Sequence, residues 1–175
     1  MYITKMQNSI EQLCTACQNG DILTTMRILA EGWVDVNDLS GGVTPLMQSM
    51  RRNHSTIVTM LLAQPDIKLD CTANNGLGPL HFACYGNSPS VIPVFGKDRR
   101  CTPAFINVKD RWGQTALMQA VDCGHLDCVM EMDKLEGTDW GTENDKGETL
   151  LEVARKNTRT GNHAKVLQYL QVRMA

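Results

Sequence analysis

Apolar residues along the chain fall into short segments with helical spacing, and the segments come in pairs. Leu46, Ser49 and Met50 stand at i, i+3 and i+4, on one face of a short helix. A second segment carries Ile57, Val58, Leu61 and Leu62, and a later one carries Cys128, Val129 and Met132. Near the end, Val166, Leu167 and Leu170 alternate with Lys165, Gln168, Gln171 and Arg173, the pattern of a half-exposed helix. Local chemistry marks where these helices begin. Thr44-Pro45 combines a capping hydroxyl with a proline that loses nothing at the first helical position, and Gly78-Pro79 and Ser88-Pro89 use the same proline. Ser9-Ile10-Glu11-Gln12 has the form of a capping box ahead of Leu13. Asn53-His54, Asn87-Ser88 and Gly124-His125 interrupt each first helix, and a second helix follows. Between the pairs lie Asp35-Val36-Asn37, Asp66-Ile67-Lys68-Leu69 and Phe105-Ile106-Asn107, predicted as short extended segments. They lead into tight turns at Gly42, Gly76, Gly113 and Gly147.

The pairs repeat. Gly41–His54, Asn75–Ser88, Trp112–His125 and Lys146–Asn157 align with one another, and Ile10–Asp21 is a degenerate copy. The aligned leucines are Leu13, Leu46, Leu80, Leu117 and Leu151, spaced by 33, 34, 37 and 34 residues. This pattern of Gly-x-Thr-Pro-Leu, a Gly-His break, an apolar helix and Asp-Val-Asn resembles the ankyrin repeat, over about residues 9–172. The resemblance implies an all-α solenoid of about five helix-turn-helix units carrying β-turn fingers. The units are expected at 9–37, 38–70, 71–107, 108–141 and 142–173, forming one domain over 9–174 after an extension at 1–8. One such unit cannot bury its own apolar face, so stability comes from stacking. The capping box at Ser9 and the amphipathic last helix point to a complete array.

Three departures from the repeat pattern stand out. The histidine expected after the leucine is present only as His81; Cys14, Met47, Met118 and Glu152 hold the other positions, so apolar packing is expected to replace its hydrogen bonds. Repeat three holds Pro93 and Gly96 in its second helix, predicting a short helix and a longer loop over Gly96–Ala104. Repeat five has extra residues around Thr158–Gly161.

Composition narrows the function classes. With 175 residues, 42% hydrophobic and 21% charged, the chain is an ordinary globular one, and no apolar run is long enough to span a membrane. A net charge of −2 argues against nucleic acid, which calls for a basic excess. The seven cysteines are odd in number and irregularly spaced, which fits reduced thiols in a cytoplasmic or nuclear protein better than a disulfide scaffold. Each histidine falls on a repeat position, leaving none for a catalytic dyad. There is no phosphate-binding loop and no carboxylate pair at catalytic spacing. No enzyme activity, cofactor, metal or small-molecule substrate is expected. Cys14 and Cys17 have the spacing of a thiol redox or half-zinc motif, and they define the rival class. Zinc wants four ligands, and no second pair is evident.

The resemblance implies a monomeric protein-interaction module, an adaptor or scaffold, that binds a peptide or protein face on its concave side. A competitive inhibitor or regulator of a transcription factor or kinase is the alternative within that class. Family practice places partner contacts around the turn glycine and late in the first helix. Mapped here, the candidates are Arg51, Arg52, Asn74, Asn75, Leu77, Tyr85, Arg111, Trp112, Gln114 and Asp122. Trp112 is the foremost, because aromatic and arginine side chains dominate interface hot spots. Arg51, Arg52, Lys109 and Arg111 give the middle of the array a positive bias that favours an acidic segment. Trp33 and Trp140 are expected to be structural.

Overall fold

A computed structural model describes residues 2–157 and 161–175, with side chains from Ser9 onward. The first helix pair is α1 (Tyr2–Asn19) and α2 (Ile22–Glu31), and the second is α3 (Pro45–Arg51) and α4 (Ser55–Leu62). In the third, α5 (Pro79–Tyr85) is followed by a 3-10 turn (Pro89–Val91) and α6 (Ile92–Gly96). A one-turn helix, α7 (Pro103–Ile106), comes next. The last two pairs are α8 (Ala116–Cys123) with α9 (Leu126–Asp133), and α10 (Leu150–Lys156) with α11 (Gly161–Arg173). First helices pack on first helices in the order α1, α3, α5, α8, α10, and second helices stack as α2, α4, α6, α9, α11. This is an all-α solenoid of five helix pairs.

The helix starts follow from the capping chemistry. The hydroxyls of Thr44, Thr115 and Thr149 accept from the amides of Met47, Met118 and Glu152 at 3.3, 3.3 and 3.4 Å. Asp21 caps α2 through the Thr24 amide at 3.0 Å. The repeating leucines run through the core: Leu13, Leu46, Leu80 and Leu117 are buried, and Leu151 is half-buried. Met50, Ile57, Leu61, Phe95 and Met132 fill the space between the helix layers.

Neighbouring pairs are also stitched by side chains that open the second helices. His54 donates to the Gln18 carbonyl at 3.2 Å, His125 to Cys84 at 2.7 Å and His163 to Asp122 at 3.1 Å. Ser88 holds the corresponding place in repeat three and donates to the Arg51 carbonyl at 2.9 Å. Each therefore satisfies a carbonyl at the end of the preceding first helix, one of the groups a helix C-terminus leaves unpaired. On the opposite side, the Asn37 amide donates to Asp66 and accepts from Lys68 at 2.9 and 2.8 Å. Asn107 treats Gly137 and Asp139 the same way at 2.7 and 2.8 Å.

Four expectations need correcting or bounding. Phe105-Ile106-Asn107 is not extended: Phe105 and Ile106 belong to α7, which starts at Thr102-Pro103 by the same proline preference used elsewhere. Ser9 does not start a helix, because α1 is already helical from Tyr2, so the segment 2–8 continues the first helix. The missing histidines are not replaced by apolar packing alone. The Met47 sulfur accepts from the Thr44 amide at 3.5 Å and a Glu152 carboxylate oxygen from Thr149 at 2.8 Å. The extra residues expected around Thr158–Gly161 lie outside the described residues at 158–160.

The short helix foreseen in repeat three is present as α6, five residues long. The loop after it is anchored. Arg100 grips Asp98 at 2.6 and 2.8 Å and reaches back to the carbonyls of Leu62 at 2.7 Å and Ile67 at 3.4 Å.

Candidate functional site

The turn fingers are held by side chains that imitate backbone. One carboxylate oxygen of buried Asp110 accepts from the amides of Trp112 and Gln114, both at 2.9 Å. Asn144 does the same for Lys146 and Glu148 at 2.9 and 3.0 Å. These are the closed turns that Asx residues favour. Consecutive fingers then bond to one another: the Arg111 amide donates to the Asn75 carbonyl at 2.9 Å, and the Asp145 amide to the Trp112 carbonyl at 3.1 Å. Gly113 permits the second contact, since a Cβ there would stand 2.7 Å from the Asp145 nitrogen. The fingers of repeats three to five form one hydrogen-bonded row.

Beside that row lies an open groove of about 510 Å³. The candidates Arg51, Asn74, Asn75, Leu77, Tyr85 and Arg111 all line it, together with Val43 and Phe82. Tyr85 projects from the end of α5 with 52% of its surface exposed. The guanidinium of Arg51, at the end of α3, sits 5.1 Å from the centre of that ring. Arg111 lies 5.4 Å from the centre of the Trp112 ring and donates to the Asn74 carbonyl at 3.1 Å. Phe82 was not among the candidates. Its position directly after the Leu80-His81 pair, one turn before Tyr85, was the available signal.

The remaining candidates stand apart from this groove. Trp112 is 52% exposed on the finger row, outside the groove lining, with Arg111 over its ring. Arg52 is exposed at the C-cap of α3. Gln114 is half-buried, and its carbonyl accepts from His81 at 2.9 Å. Asp122 accepts from the Asn157 side-chain amide, so its carboxylate serves the contact with repeat five. Trp33 and Trp140 are both half-buried, and Arg173 covers Trp140 at 5.0 Å.

The chemistry of Cys14 and Cys17 differs from that of reactive thiols. Both are buried. Burial pushes the Cys14 thiol up to about 11. Burial, followed by the neighbouring Cys14, pushes Cys17 up to about 12. The thiolate, the nucleophilic and metal-binding form, is correspondingly scarce. Among the described residues, no group of three or more His, Cys, Asp or Glu side chains is placed to hold a metal ion. No helix among them is long and apolar enough to cross a membrane.

Comparison with known families agrees with this architecture. A three-copy ankyrin-repeat family profile matches residues 13–98, and a single ankyrin-repeat profile matches residues 112–139. The chain belongs to the ankyrin-repeat family, whose repeats are generally protein–protein interaction modules and typically non-catalytic. No curated protein matches the chain.

Proposed function

We propose that this chain is a non-catalytic adaptor or scaffold that seats a peptide or protein face against its finger row and first helices. The observation that carries this reading is the groove beside the hydrogen-bonded fingers. It gathers an exposed aromatic ring, Tyr85, and two arginines, Arg51 and Arg111, on elements fixed by packing on both sides. A surface already in its bound shape loses little conformational entropy on association, and aromatic and arginine side chains carry most interface energy. Seven unpaired cysteines suit a reducing intracellular setting for this work.

The test is affinity capture from a cell lysate with the wild-type chain and with Tyr85→Ala. A partner retained by the wild type and lost, or weakened by about 2 kcal/mol, in a variant with an unchanged thermal midpoint supports the reading. A partner retained equally by Tyr85→Ala and by Arg111→Ala would move recognition to another face. Turnover of a small molecule by the purified chain would replace the reading altogether.

A further inference from the structure

The groove has a charge that the chain as a whole does not. The protein carries a net −2, yet among the described residues the only charged side chains lining the groove are Arg51 and Arg111, and none of these lining residues is a carboxylate. Neither arginine forms a salt bridge among the described residues, although five other basic side chains do. Exposed Arg52, the residue after Arg51, forms no salt bridge among the described residues, and Lys109 is spent on the Glu143 carbonyl at 2.8 Å.

Each groove arginine is also held in place. A guanidinium lying over an aromatic face keeps its N–H edge available for other acceptors. Arg51 lies over Tyr85 in this way, and Arg111 over Trp112, with one Arg111 N–H committed to the Asn74 carbonyl. Such a fork matches a carboxylate bidentately. The same lining includes apolar side chains: Leu77 is half-buried and Phe82 is buried. Exposed Asn74 at the rim offers an amide to a peptide backbone.

Resting on the recognition reading above, we infer that the groove takes an acidic peptide segment. An aspartate or glutamate carboxylate of the partner is held by Arg51 and Arg111, with an adjacent apolar side chain against Leu77, Phe82 and Tyr85. A nucleic-acid strand fits less well, because its backbone asks for a long basic stripe rather than two arginines on an acidic chain.

The intact chain can be used to select peptides from a fully randomised dodecapeptide display library, and the consensus peptide then titrated by fluorescence anisotropy. The recovered pool is expected to be enriched in Asp and Glu next to an apolar residue. Arg51→Gln and Arg111→Gln should each weaken the consensus peptide about tenfold, equivalent to about 1.4 kcal/mol. Changing the peptide's acidic residue to its amide should do the same, and added salt should weaken wild-type binding. A pool without acidic enrichment, binding indifferent to both arginine changes, displacement of the peptide by single-stranded RNA alone, or no recovered peptide would each overturn the inference. If lysate capture still depends on Tyr85 in that event, only the acidic chemistry falls. If capture also fails to depend on the groove, the recognition reading falls with it.

Discussion

The imidazole of His81 joins two repeats by donating from Nε2 to the carbonyl of Gln114 at 2.9 Å. The other ring nitrogen, Nδ1, accepts from the Gly78 amide at 3.2 Å, so one neutral tautomer satisfies both partners. Protonation would put a hydrogen on Nδ1 and turn that second bond into a clash of donors. Burial holds His81 below its ordinary value of 6.5, outweighing the pull of the Gln114 carbonyl and the Asp110 carboxylate. The unfolded chain therefore binds the proton more readily. This contribution to stability is complete above pH 6.5 and is lost as pH falls toward the lower folded value. Denaturant unfolding on either side of pH 6.5 should show the loss. His81→Gln can still accept from Gly78 and should flatten that slope while costing about 1 kcal/mol at neutral pH. Equal slopes for both proteins would mean that His81 does not report acidity.

Leu117 tests whether the pairs are stacked in the register described. It is 1% exposed on α8, the helix that packs against α5, α9 and α10. Leu117→Ala leaves a cavity that packing on several sides cannot close, and should cost about 2–5 kcal/mol in chemical unfolding. Because stability in a solenoid is shared through interfaces, the loss should appear in neighbouring pairs by hydrogen exchange. A cost confined to repeat four would show that the units fold independently.

Much of this stack was legible in the sequence because its signals are local. Thr44-Pro45 or Gly124-His125 decides a helix boundary through its own backbone angles and hydrogen bonds, so the period of helix starts and stops could be read directly. Asn53 and Gly124 adopt the left-handed conformation expected of a break between helices, with φ of 60° and 73°. What escaped were outcomes that depend on neighbours. Met47 reads as an apolar residue, and only its packed position turns the sulfur toward the Thr44 amide. The α7 turn is hidden within a polar segment whose charges suggest a loop, although Thr102-Pro103 carries the same helix-start chemistry as Thr44-Pro45. In the groove, Tyr85 and Arg111 follow from family practice. The stacking of Arg51 on Tyr85, and a groove lining without a carboxylate among the described residues, arise only when residues one repeat apart are brought side by side.

Gly86 is a sharper probe of the interface beneath that groove. Its φ of −78° suits any residue, so conformational freedom does not explain a glycine here. Close approach does: a Cβ at this position would lie 2.0 Å from the Arg51 carbonyl oxygen. The same oxygen accepts from the Ser88 hydroxyl at 2.9 Å. Gly86→Ala should therefore push repeat three away from repeat two at a cost of about 1–3 kcal/mol, as overpacking does. It should also disturb the contact between Arg51 and Tyr85. A thermal midpoint equal to that of the wild type would show that the repeats are farther apart in solution.

The final expectation concerns the loop of residues 97–102, whose Lys, Asp and Arg residues read as a flexible insertion. Arg100 ties it to repeat two through the Leu62 and Ile67 carbonyls, while Asp98 fixes the guanidinium from its own side. The side-chain bond from Arg100, opposed by burial, keeps the Asp98 carboxyl below its ordinary 3.8, so this bracket is charged at neutral pH. The Leu62 carbonyl lies at the end of α4, where intrahelical partners run out. Removing the guanidinium thus leaves both a free loop and an unsatisfied helix terminus. Arg100→Gln should accelerate amide exchange over 97–102 and at the end of α4, with repeats four and five unaffected. A cost of about 1–3 kcal/mol in global unfolding is expected, the range for deleting one partner of a hydrogen bond to a charged group. If the wild-type loop already exchanges at the rate of an unstructured peptide, Arg100 is not an anchor, and the loop is the mobile insertion that its composition suggests.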